Sequence, residues 1–167
     1  NILLVFLLAG AGTAAVGVFF GLPSLRIKGF YLAVATLAAQ FFLIWMFNKF
    51  DWWTNFSPSG VISAPPRELF PGFAVTGSGA SAVNRYLFAL GLVCIMALLA
   101  KNMVRSRIGR SWMAIRDMDI AAEIIGIKPT TAKLSAFAIS SFYIGVAGAM
   151  WAFVYTSSVE ALAFDIN

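Results

Sequence analysis

The sequence contains no histidine and a single cysteine, Cys94, and only 11% of its 167 residues are charged. The missing histidine excludes histidine-ligated metal sites and imidazole acid/base chemistry within these residues. One cysteine inside an apolar run leaves no disulfide to form and says nothing about redox compartment. A soluble domain carries about a quarter of its residues as Asp, Glu, Lys and Arg. With 60% hydrophobic residues and a mean hydropathy of +0.86, this chain reads as an integral membrane protein. The net charge of +5 is no nucleic-acid signal, because the basic residues flank apolar runs, where the positive-inside rule accounts for them. An initiator Met and a charged leader segment are missing before the first apolar run. With Asn1 at one end and Asn167 at the other, the chain reads as a piece of a longer polypeptide.

What is abundant is long apolar sequence. About 20 mostly apolar residues cross ~30 Å of hydrocarbon. Ile2–Leu22, Gly29–Phe47 and Leu134–Tyr155 meet that length, and Tyr86–Ala100 does so if Ala82–Asn84 join it. The expected fold class is all-α, a polytopic helical bundle with about four transmembrane helices in a single partial domain. Four crossings put both ends on one side. Residues 101–133 carry seven of the twelve basic residues and three of the seven acids, so this loop is expected to be cytoplasmic, with Arg26 and Lys28 facing the same way. The 48–85 segment then falls outside. It is nearly neutral and rich in Pro, Ser and Gly, and its length predicts a packed rather than slack connection. Ala64-Pro65-Pro66 favours extended backbone, and Arg67–Phe70 has the length of one helical turn. Trp52, Trp53, Tyr86 and Tyr155 stand at interface-belt positions.

Two ridges of small residues recur at four-residue spacing: Ala9, Thr13, Gly17 and Gly21 in the first span, and Ser141, Gly145 and Ala149 in the fourth. Such ridges allow close helix approach and are expected to be packing seams. No ionisable side chain lies well inside a span. Ion-coupled transporters keep such groups at depth despite their cost, so any transport would draw energy from elsewhere. Gln40 is the one strongly polar side chain at depth, placed to bond a neighbouring helix or a solute.

The charged loop has its own pattern. Ile108, Trp112, Ile115, Met118, Ala122 and Ile125 step by three and four, the apolar face of a helix. Asp117 or Asp119 is placed to cap a short helix ending at Ile125, and Gly126 is a natural stop. The expected form is one helix to about Asp117, a kink, and a second over Asp119–Ile125. Alternating acids and bases suit a protein partner better than an anionic lipid surface. The carboxylates Asp117, Asp119 and Glu123 have no His or Cys beside them, which argues against a membrane enzyme.

At this point a family resemblance enters. The stretch GRSWMAIRDMDIAAEIIGIKPTTAKLSAFAISS is similar to the cytoplasmic loop and following span of branched-chain amino acid ABC importer permeases, through Gly109, Arg110, Ala114, Ile115, Arg116, Asp117, Asp119, Ala121, Ala122, Glu123, Gly126, Lys133, Leu134, Ala136, Phe137 and Ser140. Arg26–Ala33 followed by Thr36-Leu37 resembles an upstream motif of the LivM-type subunit. The sequence departs from the family at Trp53–Gly60, where a Thr-Gly-Gly stretch is often found. The resemblance implies a bacterial inner-membrane permease subunit for branched-chain or similar hydrophobic amino acids, or on the same architecture for urea or short amides. It implies as partners an ATP-binding cassette ATPase, a second permease, a solute-binding protein and membrane lipid, with no cofactor of its own. Gly109, Arg110, Arg116, Asp117, Asp119, Ala122, Glu123 and Gly126 would form the ATPase-coupling segment, with Arg116 and Glu123 as its charged anchors. The chain has no G-x-x-x-x-G-K-[ST], so hydrolysis would occur in the partner.

Overall fold

A computed structural model of the chain describes residues 2–24, 30–50, 61–63, 65, 69, 75–77, 80–156 and 158–160. Its elements are α1 (Ile2–Ser24), α2 (Phe30–Lys49), β1 (Val61–Ser63), α3 (Ala82–Arg105), α4 (Arg107–Asp117), α5 (Asp119–Ile124), α6 (Pro129–Met150), a π-helical turn (Trp151–Thr156) and β2 (Ser158–Glu160). Among the described residues, α1, α3 and α6 with its π-helical turn are long and apolar enough to cross a membrane, and α2 adds the apolar stretch Val34–Phe47. In hydrocarbon only helices and closed barrels satisfy every backbone group internally. Leu7, Leu8, Phe19, Phe41, Val93 and Leu98 are largely exposed, the reverse of a water-soluble core and the expected state of helices solvated by lipid or further helices.

Two boundaries differ from the sequence expectation. The third span is longer than its apolar run: α3 begins at Ala82, capped by Ser81, whose hydroxyl accepts from the Val83 N–H at 3.2 Å, and continues through Lys101 to Arg105. Basic side chains at the interface do not interrupt a helix, since their stems lie along it while the charge reaches water. The fourth begins earlier. Its apolar run opens only at Leu134, yet Pro129 is the first residue of α6. Proline suits that position, because its fixed φ is helical and its missing N–H would have no partner there.

The spine is the antiparallel pair α1 and α6, which pack along most of their length. A Cβ built on Gly17 would collide with the Ser141 hydroxyl and lie 2.6 Å from its Cβ. One built on Gly145 would lie 2.7 Å from the Thr13 Cβ and 2.9 Å from the Ala9 carbonyl oxygen, and one on Gly10 would lie 2.6 Å from the Phe142 ring. The two small-residue ridges thus face each other. Thr13 returns its hydroxyl to the Ala9 carbonyl at 2.7 Å, which satisfies that donor within its own helix. α2 leans on α1 through Phe20 and Phe42, ring centroids 6.4 Å apart. α3 meets α6 where the Tyr143 hydroxyl donates to the Met96 carbonyl at 3.0 Å.

One end of the bundle carries the main apolar cluster: Ile2 and Phe6 from α1, Val75, Phe88 from α3, Ala149, and Val154 from the π-helical turn. Phe6 stacks on Phe88 at 5.7 Å and meets Phe153 edge-on at 6.3 Å. The starts of α1 and α3 and the end of α6 therefore share one end, as alternating crossings require. At this end β1 pairs antiparallel with β2, in the register Val61 with Glu160 and Ser63 with Ser158. Val75 and Thr76 are buried, and the Arg85 guanidinium donates to the Gly77 carbonyl at 2.6 Å. Val75, Thr76 and Arg85 thus tie part of the 48–85 segment to this end of the bundle. Arg67–Phe70 as a helical turn, the extended Ala64-Pro65-Pro66 unit, Trp52 and Trp53, and the Arg26–Lys28 positions fall wholly or in part outside the described residues.

Candidate functional site

The site is a corner made of α4, α5 and the first turns of α6. It starts with a sharp reversal at Ser106, which closes α3 and opens α4; its backbone N–H and hydroxyl both donate to the Met103 carbonyl, at 3.0 and 2.6 Å. The turn is tight enough to specify glycine at 109. A Cβ there would lie 2.5 Å from the Val104 carbonyl carbon and 2.6 Å from the Met103 carbonyl oxygen, both backbone atoms that cannot swing aside. Arg110 follows on the exposed side, with its guanidinium 3.5 Å from the Arg105 carbonyl, a favourable place for a cation at the negative end of α3.

α4 is fastened to α6 by a side-chain hydrogen bond: the Trp112 indole N–H donates to the Ser135 hydroxyl at 2.9 Å, and Ser135 donates on to the Ala132 carbonyl at 2.8 Å. Beside it, Ile115, Ala122 and Ala132 form a second buried cluster, flanked by Trp112, Ala114 and Ile127. Each of α4, α5 and α6 contributes one buried residue to this cluster, which packs the three helices together.

Between α4 and α5 the chain is extended at Met118 (φ −152°, ψ 98°), which serves as the last cap of one helix and the first of the next. This corrects the expectation that Asp117 or Asp119 caps α5. Asp117 ends α4, Asp119 is the first residue of α5, and the capping position belongs to a thioether that makes no cap hydrogen bond. The bend also corrects the single apolar face. Trp112, Ile115 and Ala122 turn inward, whereas Ile108, Met118 and Ile125 are exposed. A helix restarted after an extended residue changes phase, and α5 turns Ile120 and Ile124 outward as well. Met118, Ile120, Ile124 and Ile125 are between 69% and 82% exposed, with Glu123 exposed among them.

α5 ends at Ile124, with Ile125 as its cap, in a Schellman motif. The Gly126 N–H bonds the Glu123 carbonyl and the Ile127 N–H bonds the Ala122 carbonyl, each at 3.0 Å. Gly126 has φ +90°, the left-handed conformation this motif demands and glycine adopts without a Cβ penalty. Ile127 then packs on the Ala122 cluster, the apolar contact that accompanies such stops.

Of the coupling residues singled out from sequence, the structure places Gly109 and Ala122 in the interior and Arg110, Arg116, Asp117, Glu123 and Gly126 on the surface. Arg116 and Asp117 pair at 3.0 Å with side chains 76% and 65% exposed, a geometry worth little in stability. Gln40 is half-buried on α2, away from this corner. Among the described residues no three metal-ligating side chains stand together. The Trp112–Ser135 fastening was not anticipated from the sequence. A Ser at the head of an apolar run signals nothing by itself, and its partner lies 23 residues away.

Residues 1–164 match the family profile described as branched-chain amino acid transport system / permease component. The chain belongs to this family. Among curated proteins it is 33% identical over 164 residues to the high-affinity branched-chain amino acid transport system permease protein LivM of Salmonella typhimurium, and 30% identical over the same length to LivM of Escherichia coli. Each alignment covers 87% of this chain and 38% of the relative, so the chain spans well under half the length of either. No solved structure matches. Family membership and the apolar helices make this a helical membrane protein of permease type, and the whole α4–α6 corner lies within the matched residues.

Proposed function

We propose that this chain is part of a permease subunit of an ATP-binding cassette importer in the bacterial inner membrane, carrying branched-chain or similar hydrophobic amino acids with energy from ATP hydrolysed in a separate subunit. A solute-binding protein delivers the solute on the outer side, and a second permease subunit completes the path, along which Gln40 is the polar contact at depth. Residues 101–133 face the cytoplasm and the 48–85 segment faces outward. The Gly109–Gly126 segment receives the ATPase. The observation that carries this reading is the outward face of α5, a six-residue helix that shows Met118, Ile120, Ile124 and Ile125 around Glu123. Apolar side chains around a charge, on a helix rigidly stopped and anchored, suit a protein groove rather than open water.

The geometry also supplies a route for force. Ala122 and Ile127 tie α5 to Ala132 of α6, and only Ile125–Lys128 separate the two helices. α6 packs closely on α1 through the glycine seam, where neither Gly17 nor Gly145 has room for a Cβ. A push on α5 therefore reaches the α1–α6 pair as rigid-body motion. Arg110, Asp117, Asp119 and Glu123 supply charged contacts, and Gly109, Ala122 and Gly126 hold the helices in place.

Glu123→Ala in the full-length protein tests this, with uptake by membrane vesicles measured beside recovery of the ATPase in pull-downs. Truncating one partner of a buried charged contact costs about 2–5 kcal/mol, so ATPase recovery and uptake should fall together while the solute-binding protein still binds its ligand. Full uptake with normal ATPase recovery would remove the docking assignment.

A further inference from the structure

A groove of about 250 Å³ opens where α4 crosses the start of α6, lined by Trp112, Ile115, Arg116, Ala132, Lys133 and Ala136. Its floor is apolar and its lip carries two cations. Its depth is fixed by the sequence: Lys133 is the last charged residue before α6 becomes continuously apolar, and Ala136 lies about one turn further in. The groove therefore straddles the level at which hydrocarbon gives way to headgroups, and Trp112 is the kind of residue that occupies that level. The Trp112–Ser135 bond and the buried Ile115 and Ala132 hold its walls in place.

We propose that this groove binds an anionic phospholipid, with an acyl chain against Ile115, Ala132 and Ala136 and the phosphate between Arg116 and Lys133; Arg116, which the family resemblance would make an ATPase anchor, is here assigned to the lipid instead. The mixed charge that suits the outer face of α5 to a protein is absent from the groove lining, whose two charged residues are both cations. Residues 101–133 carry seven cations and three acids, and basic pockets between helices at a membrane surface select anionic headgroups. The Arg116 guanidinium meets Asp117 through Nε, and a planar guanidinium suits phosphate oxygens. Asp117 opposes the site: its carboxylate offsets part of the Arg116 charge. Lys128 and Arg110 add to the field from the same segment, and Asp119 and Glu123 subtract from it. The proposal needs only that α6 spans a membrane, and it is independent of the solute carried.

The test is native mass spectrometry on the full-length protein, with any subunits that co-purify, delipidated and then offered phosphatidylglycerol or phosphatidylcholine in equal amounts. Wild type should retain phosphatidylglycerol preferentially. One basic residue near an anionic surface is worth about a fivefold change, so Lys133→Gln should cut the preference about fivefold and Arg116→Gln/Lys133→Gln by more than tenfold. Asp117→Asn should raise it, a gain that misfolding cannot produce. Ala136→Leu fills the floor and should lower retention of both lipids. Equal retention of the two lipids by wild type, an unchanged preference in both the Lys133→Gln and Asp117→Asn proteins, or a groove that takes up no lipid because polypeptide occupies it would each overturn the assignment.

Discussion

Replacing Gly17 by alanine should separate the two central helices. The new methyl carbon would stand 2.6 Å from the Ser141 Cβ, about 0.8 Å inside the 3.4 Å at which ordinary contact begins, and it would overlap the Ser141 hydroxyl outright. Ser141 cannot escape by rotating alone, since its Cβ is fixed to the α6 backbone. The helices must move apart, and the strain reaches Gly145, which is wedged against Thr13 and the Ala9 carbonyl. Overpacking of this kind costs about 1–3 kcal/mol, and Gly17→Leu should lie at or beyond the upper end. Thermal unfolding of the full-length protein in detergent is the assay. Ser141→Gly removes the opposing Cβ and should restore most of the loss, whereas Ser141→Ala removes only the hydroxyl and should restore part. Gly12 lies on the same helix with nothing within 4 Å of a built Cβ, so Gly12→Ala should stay within about 0.5 kcal/mol of wild type. A Gly17→Ala protein as stable as wild type, or one that Ser141→Gly fails to rescue, would show that the α1–α6 seam is not where these helices meet.

Trp112→Phe removes the indole N–H while keeping an aromatic ring; a net loss of about 0.5–1.5 kcal/mol is expected, with faster amide exchange in α4 as the local readout. At Gly126 a built Cβ meets open space, so any cost is pure backbone: Gly126→Ala should lose about 1–2 kcal/mol, Gly126→Asn less and Gly126→Val more, with vesicle uptake falling in the same order. For the orientation, Cys94→Ala proteins carrying Lys128→Cys or Ser63→Cys place a thiol at an exposed position in each segment. Intact cells should label Ser63→Cys from outside and leave Lys128→Cys unlabelled; the opposite pattern would invert the topology.

The spans were legible because 20 consecutive apolar residues have few other uses. Their ends were not, since Lys101, Arg105 and Pro129 look like loop residues and are compatible with helix at a membrane surface. At the corner, the stop at Gly126 was readable: a short helical pattern followed by glycine has few other geometries. The bend at Met118 was not. Nothing in a methionine marks extended backbone, and without that bend the phase of α5 cannot be followed, so Ile125 was read as inward. The β1–β2 pair lay hidden for another reason. Three-residue strands nearly a hundred positions apart carry no local signal, and their partnership depends on where the intervening helices bring them.

That partnership has a consequence for how the protein is made. Val61–Ser63 leaves the ribosome long before Ser158–Glu160 exists, and α1 is completed before α6, the helix it packs along, has begun. Both closures join an earlier segment to a later one, so the α1–α6 contact cannot form before α6 has been inserted, and the β1–β2 pair must wait for the residues that follow it. Closing so long a stretch carries only a slowly growing entropic cost, but it fixes an order: α1 and α3 are made before α6, and the cluster holding Phe6, Phe88 and Val154 is complete only after the π-helical turn has followed α6. A nascent chain stalled before α6 would be inserted but unlatched, and open to proteolysis on the side where the strands should meet.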